Sequence, residues 1–205
     1  MTKYTRILGT LGKVARFAAV IGCVSAVSAA EMAAPKYVTD GAAFKCITKM
    51  TPVKHYFVDS LSGNLDATVA VAKAGKGVFP EGAVLQLIPN EVMIKQQKGY
   101  SPQTNDWEFY YLDVDKDGSK IVSQGAAEVN NRLGLNCFSC HSQAQTGFDF
   151  ICEQDHGCAP IPIARPMFTA LQRSDPRCKD APPLNEVEKA ALVELAEVVK
   201  TLTGH

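Results

Sequence analysis

Nothing in this chain limits its architecture as tightly as the five residues Cys137-Phe138-Ser139-Cys140-His141, two thiols and an imidazole in a C-x-x-C-H order. Each part of that order answers a chemical need. Two thiols at this spacing add to the two vinyl groups of a haem as thioethers, and the adjacent imidazole is delivered beneath the iron. The segment therefore predicts one haem c per chain, attached through Cys137 and Cys140, with His141 as the metal ligand.

Two other chemistries use similar spacing. A thioredoxin-like redox pair places C-x-x-C at an early strand-to-helix junction. Here the pair lies two thirds along the chain, behind segments that read as antiparallel strands. A structural zinc site needs four ligands, which Cys152, His156 and Cys158 could complete, but that leaves His141 without a role.

The compartment points the same way. Residues 1–30 carry Lys3, Arg6, Lys13 and Arg16 and no acid, then an uncharged run from Phe17 to Ala30 that ends in Ser28, Ala29 and Ala30. A basic start, a short apolar middle and a small-residue exit make a signal peptide, so the chain is expected in the periplasm. The run is too short to span a bilayer as a helix, and no membrane span is expected. A rival cleavage box, Val20-Ile21-Gly22-Cys23, would instead lead to a lipid anchor at Cys23. The chain has 21 cationic and 21 anionic side chains, so losing the four cations of the leader leaves a net charge of −4. Nothing in that balance suggests the basic face a nucleic-acid binder needs, and no nucleic-acid partner is expected. Beyond the leader, Cys46, Cys152, Cys158 and Cys178 remain once two cysteines hold haem, an even number in an oxidising compartment. Two disulfides fit, and Cys152 with Cys158 is the easiest pair to propose, although spacing does not fix the connectivity.

Residues 31–45 read as a flexible lead-in and 46–205 as a single domain. Residues 57–74 suit helix or strand. From Ala83 to Lys95 the pattern favours strand, with Pro89-Asn90 as a break, a bulge or an edge position. The run Asp106-Trp107-Glu108-Phe109-Tyr110-Tyr111-Leu112-Asp113, then Asp115-Lys116-Asp117-Gly118 and Ile121-Val122, predicts a hairpin. The same turn matches half of an EF-hand loop, but Gln124 stands where the bidentate acid belongs. Five prolines between Pro160 and Pro182 predict an irregular wrap rather than a packed helix. Asn185 and Glu188 form a capping-box pattern, opening an amphipathic helix over 184–202 with Val187, Ala191, Leu195, Val198 and Leu202 on its apolar face. The expected class is mainly β (α+β), an antiparallel sheet core with flanking helices and a C-terminal amphipathic helix.

Taken together, Phe79-Pro80-Glu81-Gly82 before an apolar strand, Met93-Ile94-Lys95, Asp106-Trp107-Glu108-Phe109 and Cys137 to His141 resemble the cytochrome P-460 family, which includes the β-sheet cytochromes c-prime. The resemblance covers about residues 50–160. It implies an antiparallel β fold, often a homodimer, and a five-coordinate haem whose open side binds small gaseous ligands such as nitric oxide. Some members oxidise hydroxylamine; others bind gases without turnover. The catalytic branch cross-links a lysine to the haem on the strand after the F-P-x-G turn. Here that strand reads Val84-Leu85-Gln86-Leu87, with Lys95 and Lys98 only further on, which favours the branch without the cross-link. A six-coordinate electron-transfer haem serving a redox partner protein is the alternative, and hydroxylamine oxidation or peroxide reduction a third. Met93, Met167 and His156 are candidate sixth ligands, and Arg132 a candidate partner for a propionate. Trp107, Phe109 and Tyr111 either line a haem crevice or fill the core.

Overall fold

The structure, a computed structural model, describes residues 34–37 and 39–204; the expected signal peptide and the rival Cys23 box lie outside the described residues. Six antiparallel strands form one sheet in the order β1 (Thr51–Val53), β2 (Tyr56–Ser60), β3 (Ala83–Ile88), β4 (Glu91–Lys95), β5 (Trp107–Asp115) and β6 (Gly118–Gln124). Neighbours in sequence are neighbours in space throughout. The fold is the expected antiparallel sheet with flanking helices, four of them among the described residues.

The ambiguous 57–74 segment divides between both readings: its first residues are β2, and Leu65–Ala74 is helix α1. Gly75 ends that helix at φ 64, the left-handed conformation that costs glycine least. The single interrupted strand over 83–95 is two strands, because Pro89-Asn90 forms the hairpin turn between β3 and β4. Pro89 thus needs no ladder donor. The aromatic run is β5, and its turn is held by Asp115 Oδ1, which accepts from the N–H groups of Asp117 and Gly118 at 2.7 and 3.0 Å. Asp115 serves the turn, as the hairpin reading requires.

Alternation assigns the two faces. Val58, Leu85, Met93 and Phe109 stand in register across β2 to β5 on one face. Phe57, Gln86, Val92 and Tyr110 form the matching row on the other. Both faces are covered, so the central strands read as nearly continuous apolar runs. The second face is roofed by Phe44, Ile47 and Met50. Part of the lead-in is therefore tied to the domain: Phe44 is buried and Tyr37 packs on the same cluster.

The proline-rich stretch contains a helix the sequence argued against. Arg165–Arg173 is α3, with Pro166 in its first turn, where a missing N–H costs nothing. The next proline, Pro176, falls beyond its end. Density of prolines misled because their positions, not their number, decide. Helix α4 (Glu186–Thr203) starts with the expected capping box: Asn185 Oδ1 accepts from Glu188 N, and Glu188 Oε2 accepts from Asn185 N, both at 2.9 Å. Its buried face is rotated from the expected one. Glu188, Ala191 and Leu195 are buried, whereas Val187 is 70% exposed and Leu202 51%. Glu188 turns inward because Arg173 of α3 meets its carboxylate. No helix among the described residues is long and apolar enough to cross a membrane.

Candidate functional site

The C-x-x-C-H residues form a short helix, α2 (Cys137–His141), capped by Asn136. Asn136 Oδ1 accepts from Ser139 N at 2.8 Å, while its Nδ2 donates to the carbonyl of Ala126 at 3.0 Å. The Cys137 N–H donates to Val129 O at 3.0 Å. These bonds tie α2 to the loop that leaves β6. Residues three and four apart share a helix face, so Cys137, Cys140 and His141 all line one cleft.

His141 has a fixed tautomer. Its Nδ1 lies 2.6 Å from Phe150 O, and a carbonyl only accepts, so Nδ1 carries the proton and Nε2 keeps its lone pair. Burial pushes the imidazole pKa below its ordinary value, which keeps the ring neutral. The carbonyl is aimed by two consecutive left-handed residues, Asp149 at φ 48 and Phe150 at φ 63. Their conformation is enforced from several sides. Lys95 Nζ bonds Asp149 Oδ1 at 2.7 Å, Phe79 N donates to Oδ2 at 2.8 Å, and Trp107 Nε1 donates to the Asp149 carbonyl at 2.7 Å. Thus three residues of the sheet region hold the loop that orients His141. The His141 ring also lies 5.5 Å from Phe109, and Phe150 stacks on Phe138.

The two thiols are free. Burial, with the Glu91 carboxylate nearby, pushes Cys137 up to about 12, and burial also raises Cys140. A catalytic redox pair needs the opposite, a thiol that ionises easily. Zinc fares no better, since Cys152 and Cys158 are joined as a disulfide and Cys46 is joined to Cys178. The donor set is then two protonated thiols beside one neutral imidazole, a set that suits thioether attachment and iron ligation better than thiolate chemistry.

The cleft is open to solvent at its mouth, and the cavity beneath it measures about 120 Å³. Leu85, Met93 and Phe109 form its floor, and Ile151 and Ile161 add apolar wall. Among the described residues no lysine lines it. Lys95 is buried in its pair with Asp149, and the Lys98 N–H is turned to Glu81.

Other residues singled out from sequence fall elsewhere. His156 stacks on Phe148 at 3.8 Å, bonds Ile151 O through Nδ1, and does not line the cleft. Met167 is buried between α3 and α4. The Arg132 N–H donates to Glu91 Oε1 at 3.0 Å, and its side chain borders a different groove, against α4. Trp107 is core, and Tyr111 is packed against it, whereas Phe109 lines the cleft. Sequence reasoning missed Asn136, Asp149 and Phe150. Only Asn136 carried a signal, an amide directly before the helical motif.

No protein-family profile, curated protein or solved structure matches the chain.

Proposed function

We propose that this chain is an exported mono-haem c-type cytochrome of the cytochrome P-460 kind, with haem c held by thioethers to Cys137 and Cys140 and by His141 at the iron. The observation that carries the reading is the bond from His141 Nδ1–H to Phe150 O, which reserves Nε2 for a metal in a cleft lined by two free thiols. The bound haem supplies an iron that takes a small ligand or exchanges an electron. The chain's own residues attach it, orient the imidazole and exclude water. The apolar surfaces of Leu85, Met93, Phe109 and Ile151 favour small neutral molecules such as nitric oxide over anions. The basic, apolar and small-residue order of residues 1–30 supports export to the periplasm, where such attachment takes place. Turnover of hydroxylamine through a lysine-tethered haem forms no part of the proposal, because the cleft offers no lysine among the described residues.

A second reading rests on Met93. Its side chain lies on the cleft floor, and a thioether ligand there would give a six-coordinate electron-transfer haem. Intact mass and absorption spectra of the exported protein, oxidised and reduced, with and without nitric oxide, test both. The expected result is the mass of one added haem and a high-spin ferrous spectrum that changes at once with nitric oxide. A mass without haem defeats both readings. A low-spin spectrum with a methionine–iron charge-transfer band, abolished in Met93→Leu, selects the second.

A further inference from the structure

The cleft does not stop at its apolar floor. Past His55, Leu87 and Ile161 it opens into a surface groove walled by those same residues and by Ile163, Arg165 and Phe168. Apart from His141, the basic residues that line cleft or groove, among the described residues, are His55 and Arg165. Both are held by backbone. Lys54 and His55 are the two residues of the turn between β1 and β2, with Lys54 in the left-handed region at φ 54. Arg165 opens α3, and Gln172 of that helix donates from Nε2 to His55 O at 2.8 Å and to Leu87 O at 2.7 Å. The helix that carries Arg165 is thus tied to the turn that carries His55.

Their place along the cleft fits one part of a haem. Cys137 lies beside Glu91 of β4, and the Arg132 N–H bonds the same carboxylate. His55 precedes Tyr56, the first residue of β2, two strands from β4. At about 4.8 Å per strand, these two ends are about 10 Å apart, about the breadth of a porphyrin. A haem carries its two vinyl groups on one edge and its two propionates on the opposite one. A thioether at Cys137 holds the vinyl edge at the Glu91 end, so the propionates leave by the His55 end.

Charge agrees with that placement. Carboxylates at the far edge need cations or donors to meet them. Glu153, the buried acid at this end, is already matched: Lys54 Nζ bonds its Oε2 at 2.7 Å, and the Tyr56 hydroxyl hydrogen-bonds it. Asp155 borders the groove but is exposed to solvent. Arg165 has no acidic partner among the described residues. Burial, with Arg165 and Lys54 nearby, lowers the His55 pKa against the pull of Glu153, which leaves a neutral ring with one N–H to donate.

We propose that Arg165 and His55 form the propionate end of the haem site, the guanidinium pairing with a propionate carboxylate and the His55 N–H donating to it. The proposal rests on the haem reading above and adds the residues that fix the free edge of the ring. Arg132, the partner expected from sequence, sits at the attachment end instead.

Resonance Raman spectra and redox titrations of the haem-loaded full chain test this, in the wild type, Arg165→Gln, His55→Phe and Arg132→Gln. Arg165→Gln and His55→Phe should each move the propionate bending band to lower frequency and leave the bands that report iron coordination unchanged. The midpoint potential should fall in Arg165→Gln, because a carboxylate left unpaired favours ferric iron. Arg132→Gln should leave the propionate band where it is. Arg165→Gln alone decides the matter if His55→Phe fails to accumulate, since Arg165 is exposed. A propionate band unmoved in Arg165→Gln, moved as far in Arg132→Gln, or moved together with the coordination bands overturns the anchor while leaving the haem reading intact. A wild-type mass without haem overturns both.

Discussion

Removing the two disulfides one at a time should separate what they do by the length of chain each encloses. Cys46 and Cys178 are 132 residues apart, Cys152 and Cys158 only 6. If a bridge acts by restricting the unfolded chain, loop-closure entropy assigns about 5 kcal/mol to the long one and about 2 kcal/mol to the short one at 25 °C. The folded protein has little reason to change when the long bridge goes. Asp175 Oδ2 still accepts from Ile47 N at 2.8 Å, and Arg177 still bonds Asp175 while reaching Ser119 Oγ at 2.8 Å, so the same two segments stay joined. In urea, Cys46→Ser/Cys178→Ser should therefore lower the unfolding free energy by about 5 kcal/mol, or about 10–20 °C in Tm. Its m value should rise, because an untied unfolded chain exposes more surface. Cys152→Ser/Cys158→Ser should cost less than half as much. A long-bridge variant no less stable than the short-bridge variant, with unchanged m, would show that these bridges act through the folded state, and the entropic account would fail.

Three further outcomes follow from the charges and the ligand set. Asp149→Asn strands the Lys95 ammonium in the core and should destabilise the protein by about 3–5 kcal/mol, measured by thermal unfolding; a cost within about 1 kcal/mol would mean the pair is not buried as described. Glu91→Gln should raise Tm at pH 7. Burial raises the Glu91 pKa, so its stabilising contribution is present in full below about pH 4.5 and is lost as pH rises through the folded value; the Tm difference from wild type should vanish in acid, and a difference independent of pH would refute it. His141→Ala should retain the mass of attached haem through Cys137 and Cys140 but lose the ferric spectrum of the wild type, and an unchanged spectrum would remove His141 from the iron.

The readable parts of the fold are those made by neighbours in sequence. The hairpin of β5 and β6 shows in its alternating aromatics and its Asp115 to Gly118 turn. The start of α4 shows in Asn185 and Glu188, three residues apart. The motif of the site shows in full, since Cys137, Cys140 and His141 share a single helical face. The unreadable parts are encounters between distant segments. Arg173 decides which face of α4 turns inward by drawing Glu188 into the packing. Asp149, 54 residues from Lys95, sets the backbone that aims Phe150 O at His141.

By itself, then, the chain's order of residues determined where two thiols and an imidazole would sit together, where the aromatic hairpin of β5 and β6 would turn and where its last helix would begin. These depend on backbone geometry over a few residues, which residue type controls directly. Tertiary structure alone decided that Cys46 meets Cys178, that Lys95 is spent on Asp149 rather than offered to the cleft, and that Tyr56 and Glu153 face the same space. Those meetings are set by the stacking order and register of six strands, and a pairwise contact across a hundred residues leaves no periodic trace in the segments that make it.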